Sequence, residues 1–332
     1  MLNSITFIVL VKNRPKVSER LVDYLLNIKY KINILIADGS NKSQISIYKP
    51  LKRKHNLQFL KFPFDKDLRT FIEKIHKSLY SIKTKFCCLV DTDELINFEK
   101  INLMVNFLEK NKDYVLIRGR IINFELKKNN QISFIGQNYD DYGIIDINKT
   151  HKFTKSSYWE GIHRTDSLKN VFKTIIKLKI QDVYSFMDIL TITGQLSGKF
   201  KFSKDFLFEF RQTNTSFFDN KNEKKNSLSQ QLNYTLMYKI IEILNFIKIL
   251  TLVYKKNDIS NFIKLSLLQY FINIKIFHQF KNSIKYYIVS ILWKLNLLQI
   301  LNFKKKDLIE QEYHLSEDEN NFYNKYKKFF KI

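Results

Sequence analysis

Asp91-Thr92-Asp93 offers the clearest chemistry in this sequence of 332 residues. Two carboxylates two residues apart, at the end of the apolar run Phe86 to Val90, can hold a hard divalent cation and leave coordination positions open for phosphate oxygens. A cation held there is a Lewis acid, and it stabilises the negative charge that develops on a departing diphosphate. Asp-x-Asp alone is a weak signal, because it is common in surface loops; its position directly after a buried run gives it weight. Two other polar clusters also follow buried runs: Lys12-Asn13-Arg14-Pro15 after Ile5 to Val11, and Asp38-Gly39-Ser40 after Ile32 to Ala37. In open α/β sheets ligands bind beyond the carboxyl ends of the strands. The three clusters are therefore expected to converge on one rim.

The elements that must position them follow from periodicity. Ile5 to Val11, Ile32 to Ala37, Leu57 to Phe62, Phe86 to Val90 and Tyr114 to Phe124 read as strands. Helices are expected after Pro15, which suits a first helical position, over Leu68 to Ile82 and over Ile101 to Leu108. This alternation with short connections predicts an α/β fold with a mostly parallel sheet flanked by helices. Residues 129–155 read as loop with short strands, Leu168 to Leu196 as helical, and Gly198 to Arg211 as extended. A domain over 1–215, a polar linker over 216–231 and a helical C-terminal region over 232–332 are expected.

Composition narrows the function classes. The net charge is +24, but only eight of the 56 basic residues are arginine, and Lys, Asn and Ile share A/T-rich codons. Much of the charge thus reads as base composition, and the rest as attraction to anionic lipid, a phosphorylated substrate or RNA. The two cysteines, Cys87 and Cys88, are adjacent in an apolar run and cannot easily bridge. No secretory leader is visible, because Lys12 to Pro15 interrupts the first apolar stretch. Ile284 to Phe303 carries two lysines; it suits a membrane surface or a packed helix better than a span.

The series Ile5 to Pro15, Ile34-Leu35-Ile36-Ala37-Asp38-Gly39-Ser40 and Asp91-Thr92-Asp93 resembles a family 2-type bacterial glycosyltransferase of the GT-A fold. Phe107 to Tyr114, Gly119-Arg120, Tyr158-Trp159, His163-Arg164-Thr165-Asp166, Gly198-Lys199 and Arg211-Gln212 extend the match over roughly residues 4 to 215. The resemblance implies transfer of a sugar from a nucleotide-sugar donor to an acceptor hydroxyl, with inversion and with Mg²⁺ or Mn²⁺. It implies that Asp38 contacts the nucleobase, that Asp91 lies near the ribose and diphosphate, and that Asp93 is the main metal ligand. Asn13 and Arg14 then stand near the nucleotide, Arg14 on phosphate or simply in a charged turn.

Inverting transfer needs a carboxylate to take the acceptor proton. Asp188 is the first candidate, by its interval before Gly198-Lys199, with Asp182 and Glu160 as rivals and a solvated helix acid as the plain alternative. Trp159 suits stacking on a sugar ring, and the Arg164 fork matches phosphate oxygens. His163 is read as a structural residue or a metal ligand, and Arg118 and Arg120 as sheet residues. Arg211 either closes over the diphosphate or caps the domain. The expected partners are a nucleotide-sugar donor and a glycan or glycolipid acceptor, with peripheral membrane contact through the C-terminal region and no specific nucleic acid. The expected setting is cell-surface polysaccharide or glycolipid synthesis on the cytoplasmic face of the membrane. A sugar-nucleotide nucleotidyltransferase remains an alternative, although the Gly-rich phosphate loop of such enzymes is missing from Lys12 to Pro15. A basic membrane- or RNA-binding protein is the non-enzymatic one.

Overall fold

Six apolar residues and Thr6 make β1 (Ile5–Val11) a strand buried along its whole length, and the rest of the sheet is built outward from it. The computed structural model describes residues 2–126, 131–136, 143–145, 158–178, 180, 183–213 and 313–330, with a few side chains inside these spans, including that of Asp188, left out. All of them belong to one compact unit made of residues 1–219 and 312–332.

β1 is flanked by two parallel strands, β2 (Asn33–Asp38) and β4 (Phe86–Asp91), and β3 (Asn56–Lys61) pairs parallel with β2. β1, β2 and β4 are buried on both faces, which is why they read as near-unbroken apolar runs, whereas β3 is partly exposed along its length. The connecting helices are α1 (Pro15–Asn27), the short α2 (Ile45–Tyr48) and α3 (Leu68–Ser81). Pro15 opens α1. Asp67 caps α3, its Oδ1 accepting from Thr70 N at 2.8 Å while the Thr70 hydroxyl answers the Asp67 backbone.

Beyond β4 the pairing becomes mixed. The elements are β5 (Glu94–Ile96), α4 (Phe98–Lys110), β6 (Tyr114–Leu126), β7 (Ile132–Gly136), β8 (Gly143–Ile145), β9 (Ile162–Arg164), α5 (Thr165–Ile175), α6 (Val183–Ser197), β10 (Lys199–Gln212) and α7 (Glu317–Tyr326). The strand order is β3-β2-β1-β4-β9-β6-β10-β5, with β7 on β6 and β8 on β10. β9 lies antiparallel between β4 and β6, and β5 antiparallel on β10, while β6 and β10 run parallel.

Two expectations change here. The helical stretch Leu168 to Leu196 is two helices, not one: α5 stops at Ile175, and Arg69 of α3 donates to the freed Ile176 carbonyl at 2.7 Å. The expected C-terminal region 232–332 also does not run through as one body. Its last stretch returns to the first unit, where Phe322, Tyr326, Phe329 and Phe330 are buried in the same core as Phe7 and Phe98. The linker 216–231 and the segment Ile284 to Phe303 fall outside the described residues. Among the described residues no helix is long and apolar enough to cross a membrane.

Candidate active site

The parallel register sets the rim. Leu10 pairs with Asp91 and Val11 with Asp38, so the loops after β1, β2 and β4 open side by side, as the sequence predicts. Asn13 sits in the left-handed region at φ 48°, which Asn tolerates better than most residues. Its backbone N–H donates to Ser40 Oγ at 2.9 Å, and its Oδ1 accepts from Asn41 N at 3.0 Å, which ties the first loop to the second.

Asp38 is consumed by its own turn. It accepts from Ser40 N at 2.9 Å, from Ser43 Oγ at 2.9 Å and from Gln44 N at 2.8 Å. Burial favours the neutral acid, yet these hydrogen bonds from Ser40, Gln44 and Ser43 outweigh it and hold the carboxyl below its ordinary range. Gly39 is required next to it, since a Cβ there would stand 2.3 Å from Asp65 Oδ2. The close approach lets Asp65 pair with Lys74 of α3, a buried lysine whose Nζ also donates to the Val11 carbonyl at 3.3 Å.

A cavity of about 460 Å³ opens against this rim. Lys12, Arg14, Lys74, Asp91, Asp93, Glu160 and Arg211 give it a charged side. Its apolar lining comes from α3, α6 and Trp159 and includes Leu68, Phe71, Val183 and Phe186. Phe71 stacks on Trp159 with centroids 5.9 Å apart, and Trp159 meets Phe186 edge-on at 6.2 Å.

The charged side is one connected system. Arg14 Nη1 donates to Asp93 Oδ2 at 2.9 Å. Glu94 closes the Asp91–Glu94 turn by accepting from Asp91 N at 3.0 Å. Arg211, opposite Glu94 in the β5–β10 pair, donates to Glu94 at 2.6 Å, Glu160 at 2.9 Å and Glu209 at 2.8 Å. Arg118 completes the set, 3.3 Å from Glu160 with its guanidinium 3.9 Å from the centre of the Phe202 ring. Burial, then the neighbouring Asp93, pushes Asp91 up to about 6. Burial likewise pushes Glu209 up to about 7, and burial plus Glu209 lifts Glu94 well above its ordinary value. Burial opposes the charge on Arg211, but Glu94, Glu209 and Glu160 outweigh it and raise its pKa further.

The structure therefore brings Arg14, Asp91, Asp93, Glu160, Trp159 and Arg211 together around one cavity. Asn13 and Asp38 lie on the adjoining loops but do not line it. Arg164 is not brought there. It pairs with Phe86 at the opposite end of β4, and its guanidinium is held by three backbone carbonyls: Tyr114 at 2.7 Å, Asn111 at 2.9 Å, and Leu108. Its place at the C-terminal end of α4 is where a cation offsets unpaired helix carbonyls. His163 is also away from the aspartates: it is fully buried, its Nε2 donates to the Trp159 carbonyl at 3.3 Å, and burial depresses it to about 4. Asp182 and the Asp188 side chain fall outside the described residues, although α6 brings Val183, Phe186 and Met187 to the cavity wall.

Sequence reasoning passed over Glu94, Glu209 and Lys74. Glu209 had a readable signal, since it stands two residues before Arg211 on a strand and so shares its face. Lys74 had none, being one lysine among many on a helix.

Asp91 and Asp93 fit a divalent cation. Two carboxylates face the cavity, and the mutual repulsion that helps raise Asp91 is what a cation would relieve. Among the described residues no group of three or more His, Cys, Asp or Glu could hold a metal unaided, so the remaining positions would fall to solvent or substrate oxygens. Arg14 and Arg211 line the same cavity, each with one guanidinium nitrogen, Arg14 Nη2 and Arg211 Nε, buried without a hydrogen-bond partner.

No family model and no curated protein matches the sequence. Solved structures do. S. aureus TarS 1–349 in complex with UDP-GlcNAc aligns with a TM-score of 0.55 at 15% identity, over 81% of this chain and 71% of that one. The same fragment in complex with UDP gives 0.53 at 16% identity, over 81% and 70%. The fold is GT-A-like. A longer TarS structure gives 0.52 at 14% identity, and this chain spans only 43% of it. At such identities the likeness to TarS concerns the GT-A-like architecture, and the chemistry has to be argued from the cavity.

Proposed function

We propose that this protein is a glycosyltransferase that moves a sugar from a nucleotide-sugar donor to an acceptor hydroxyl. The observation that carries this is the cavity at the carboxyl ends of β1 and β4, which Asp91, Asp93 and Arg14 line together, with Arg14 Nη1 donating to Asp93. TarS, which shares the fold, has been solved with UDP-GlcNAc and with UDP. A glycan or glycolipid acceptor, attachment to the inner face of a membrane through the C-terminal region and inversion at the transferred carbon belong to the same proposal.

Asp91 and Asp93 are the residues that would hold Mg²⁺ or Mn²⁺, which supplies Lewis-acid stabilisation of the leaving diphosphate. Arg14 supplies fixed positive charge beside them, and Arg211 does so from β10. Such pre-oriented donors need no reorganisation as charge builds on the leaving group. The Phe71–Trp159–Phe186 wall offers an aromatic face to a sugar ring or base and excludes water from one side of the cavity. Asp188 on α6 is the proposed base, removing the proton from the acceptor hydroxyl as it attacks the sugar carbon. Glu160 is its rival, but the guanidinium groups of Arg118 and Arg211 already hold that carboxylate.

The test is a thermal-shift panel of nucleotide sugars with and without Mn²⁺, followed by a transfer assay with the stabilising donor. A ligand that binds only the native state raises the melting temperature. Stabilisation by one nucleotide sugar, enhanced by Mn²⁺ and absent in Asp93→Ala, is expected. A flat panel across all common donors would sink the proposal.

A further inference from the structure

The C-terminal helix reaches the back of the strand whose front carries the charge of the cavity. β10 follows β6 in parallel register from Phe200, opposite Leu116, to Phe202, opposite Arg118; its next partner is Leu207, opposite Arg120. Residues 203–206 are thus an insertion in the ladder, and a further register shift lies between Leu207 and Glu209. The insertion folds over Gly119, where a Cβ would stand 2.5 Å from the Phe206 carbonyl oxygen. Glu209 and Arg211 follow directly, in the register this insertion sets.

Arg120 and α7 hold the insertion. Arg120 donates to both Asp318 oxygens at 2.6 and 2.8 Å, to Glu319 Oε1 at 2.8 Å, and to the Lys204 carbonyl within the insertion. Asp318 Oδ2 also accepts from Leu207 N at 3.3 Å, taking up a donor at the point where pairing with β6 resumes. Glu319 is fully buried, and accepts from Ser316 N at 2.8 Å and from the Tyr313 hydroxyl at 3.2 Å. One strand position on, Phe210 points away from Glu209 and Arg211. It stacks on Phe322 of α7 at 5.6 Å and meets Phe330 at 5.0 Å.

We propose that Arg120, Asp318 and Glu319 are positioning residues: they lock β10 in the shifted register that presents Glu209 and Arg211 to Glu94 and Glu160. None of the three lines the cavity, so their effect on turnover runs through β10. The kinetic half of this statement rests on the glycosyltransferase reading; the structural half does not.

The experiment compares Arg120→Met and the milder Asp318→Asn with Glu317→Gln, an exposed control in the same helical turn. Hydrogen exchange is followed over 207–212 and over β1, and donor turnover is measured below the melting range. Faster exchange at 207–212 with β1 unchanged is expected, together with a kcat lower by about tenfold to a hundredfold. The donor KM should stay within about threefold, because the rim loops are untouched. Unchanged exchange at 207–212, or faster exchange with wild-type kcat, overturns the proposal. Should the wild type turn over no nucleotide sugar, the glycosyltransferase reading falls, and the exchange arm alone decides whether α7 sets the register of β10.

Discussion

The two sides of the cavity are made differently. The rim of β1, β2 and β4 is local: each polar cluster follows its own buried strand, and parallel pairing alone sets Asp91 beside Leu10 and Asp38 beside Val11. The Arg211 centre is assembled from distant pieces. Glu94, Arg118, Glu160, Glu209 and Arg211 come from four separate stretches of chain, and Asp318, about a hundred residues further on, anchors the strand that carries two of them. A strand end needs only its own sequence to be in place. A buried charge cluster needs its partners, because an unpaired buried carboxylate is far costlier than a paired one.

Removing a ligand from the rim should therefore destroy chemistry and spare the fold. Asp93→Ala is expected to lower transfer by about a thousandfold while unfolding as cooperatively as the wild type; undiminished wild-type transfer in EDTA would remove the metal from the mechanism. Next in size, Asp188→Asn should reduce kcat by about a hundredfold or more at near-normal donor affinity. Wild-type turnover in that variant would hand the role to Asp182 or Glu160.

The Arg211 centre should break the other way. Arg211→Met leaves Glu94, Glu160 and Glu209 without their shared cation, a loss of about 3–5 kcal/mol in denaturant unfolding near pH 8. Glu94 and Glu209 already have raised pKa values, and a carboxylate raised in the folded state gains stability as pH falls. The deficit should accordingly shrink at pH 5, and an equal deficit at both pH values would contradict the account of this cluster.

His163 gives an opposite, smaller dependence. It is depressed to about 4 in the folded protein against an ordinary 6.5, so the unfolded chain binds its proton first. Its contribution is fully present above pH 6.5 and is lost as pH falls from there through 4, amounting to about 3 kcal/mol. His163→Gln should flatten that part of the stability–pH curve, and an unchanged slope would mean that other groups dominate it. Smallest of all, Lys85→Ala removes an exposed pair with Glu109 and should cost under about 1 kcal/mol. A larger loss in chemical unfolding would show that the Lys85 stem packs on Phe86 more than its exposure suggests.

The same contrast explains what the sequence reveals. Fully buried parallel strands write themselves as runs such as Ile5 to Val11, and the motif at each carboxyl end inherits its place from the run before it. β9, three residues between β4 and β6, has no periodicity to detect, and it is what carries Arg164 to the far end of the sheet. Arg14 and Arg211 do line the cavity, because each stands at or just beyond the end of a strand whose place the sequence reveals. At Arg164 the residue type suited phosphate, but three backbone carbonyls had the prior claim. The return of Phe322 to Phe330 to the core could not be seen either, since an aromatic stretch at helical spacing says that it packs and not against what.

Thr213 and Tyr313, which bound residues 214–312 in the chain, join the sheet at neighbouring points. Thr213 N donates to the Phe124 carbonyl at 2.8 Å, Tyr313 N donates to the Phe134 carbonyl at 3.2 Å, and Phe124 and Phe134 are partners in the β6–β7 pair. With strands spaced about 4.8 Å apart, the two doorposts stand about 15 Å from each other. That gap can be crossed by a bridge of about five extended residues. In engineering terms, a bridge of that length between Thr213 and Tyr313 is the way to remove residues 214–312 while keeping α7 attached. Simple truncation after Thr213 would instead strip Phe322, Tyr326, Phe329 and Phe330 from the core and confuse a lost accessory role with a damaged domain.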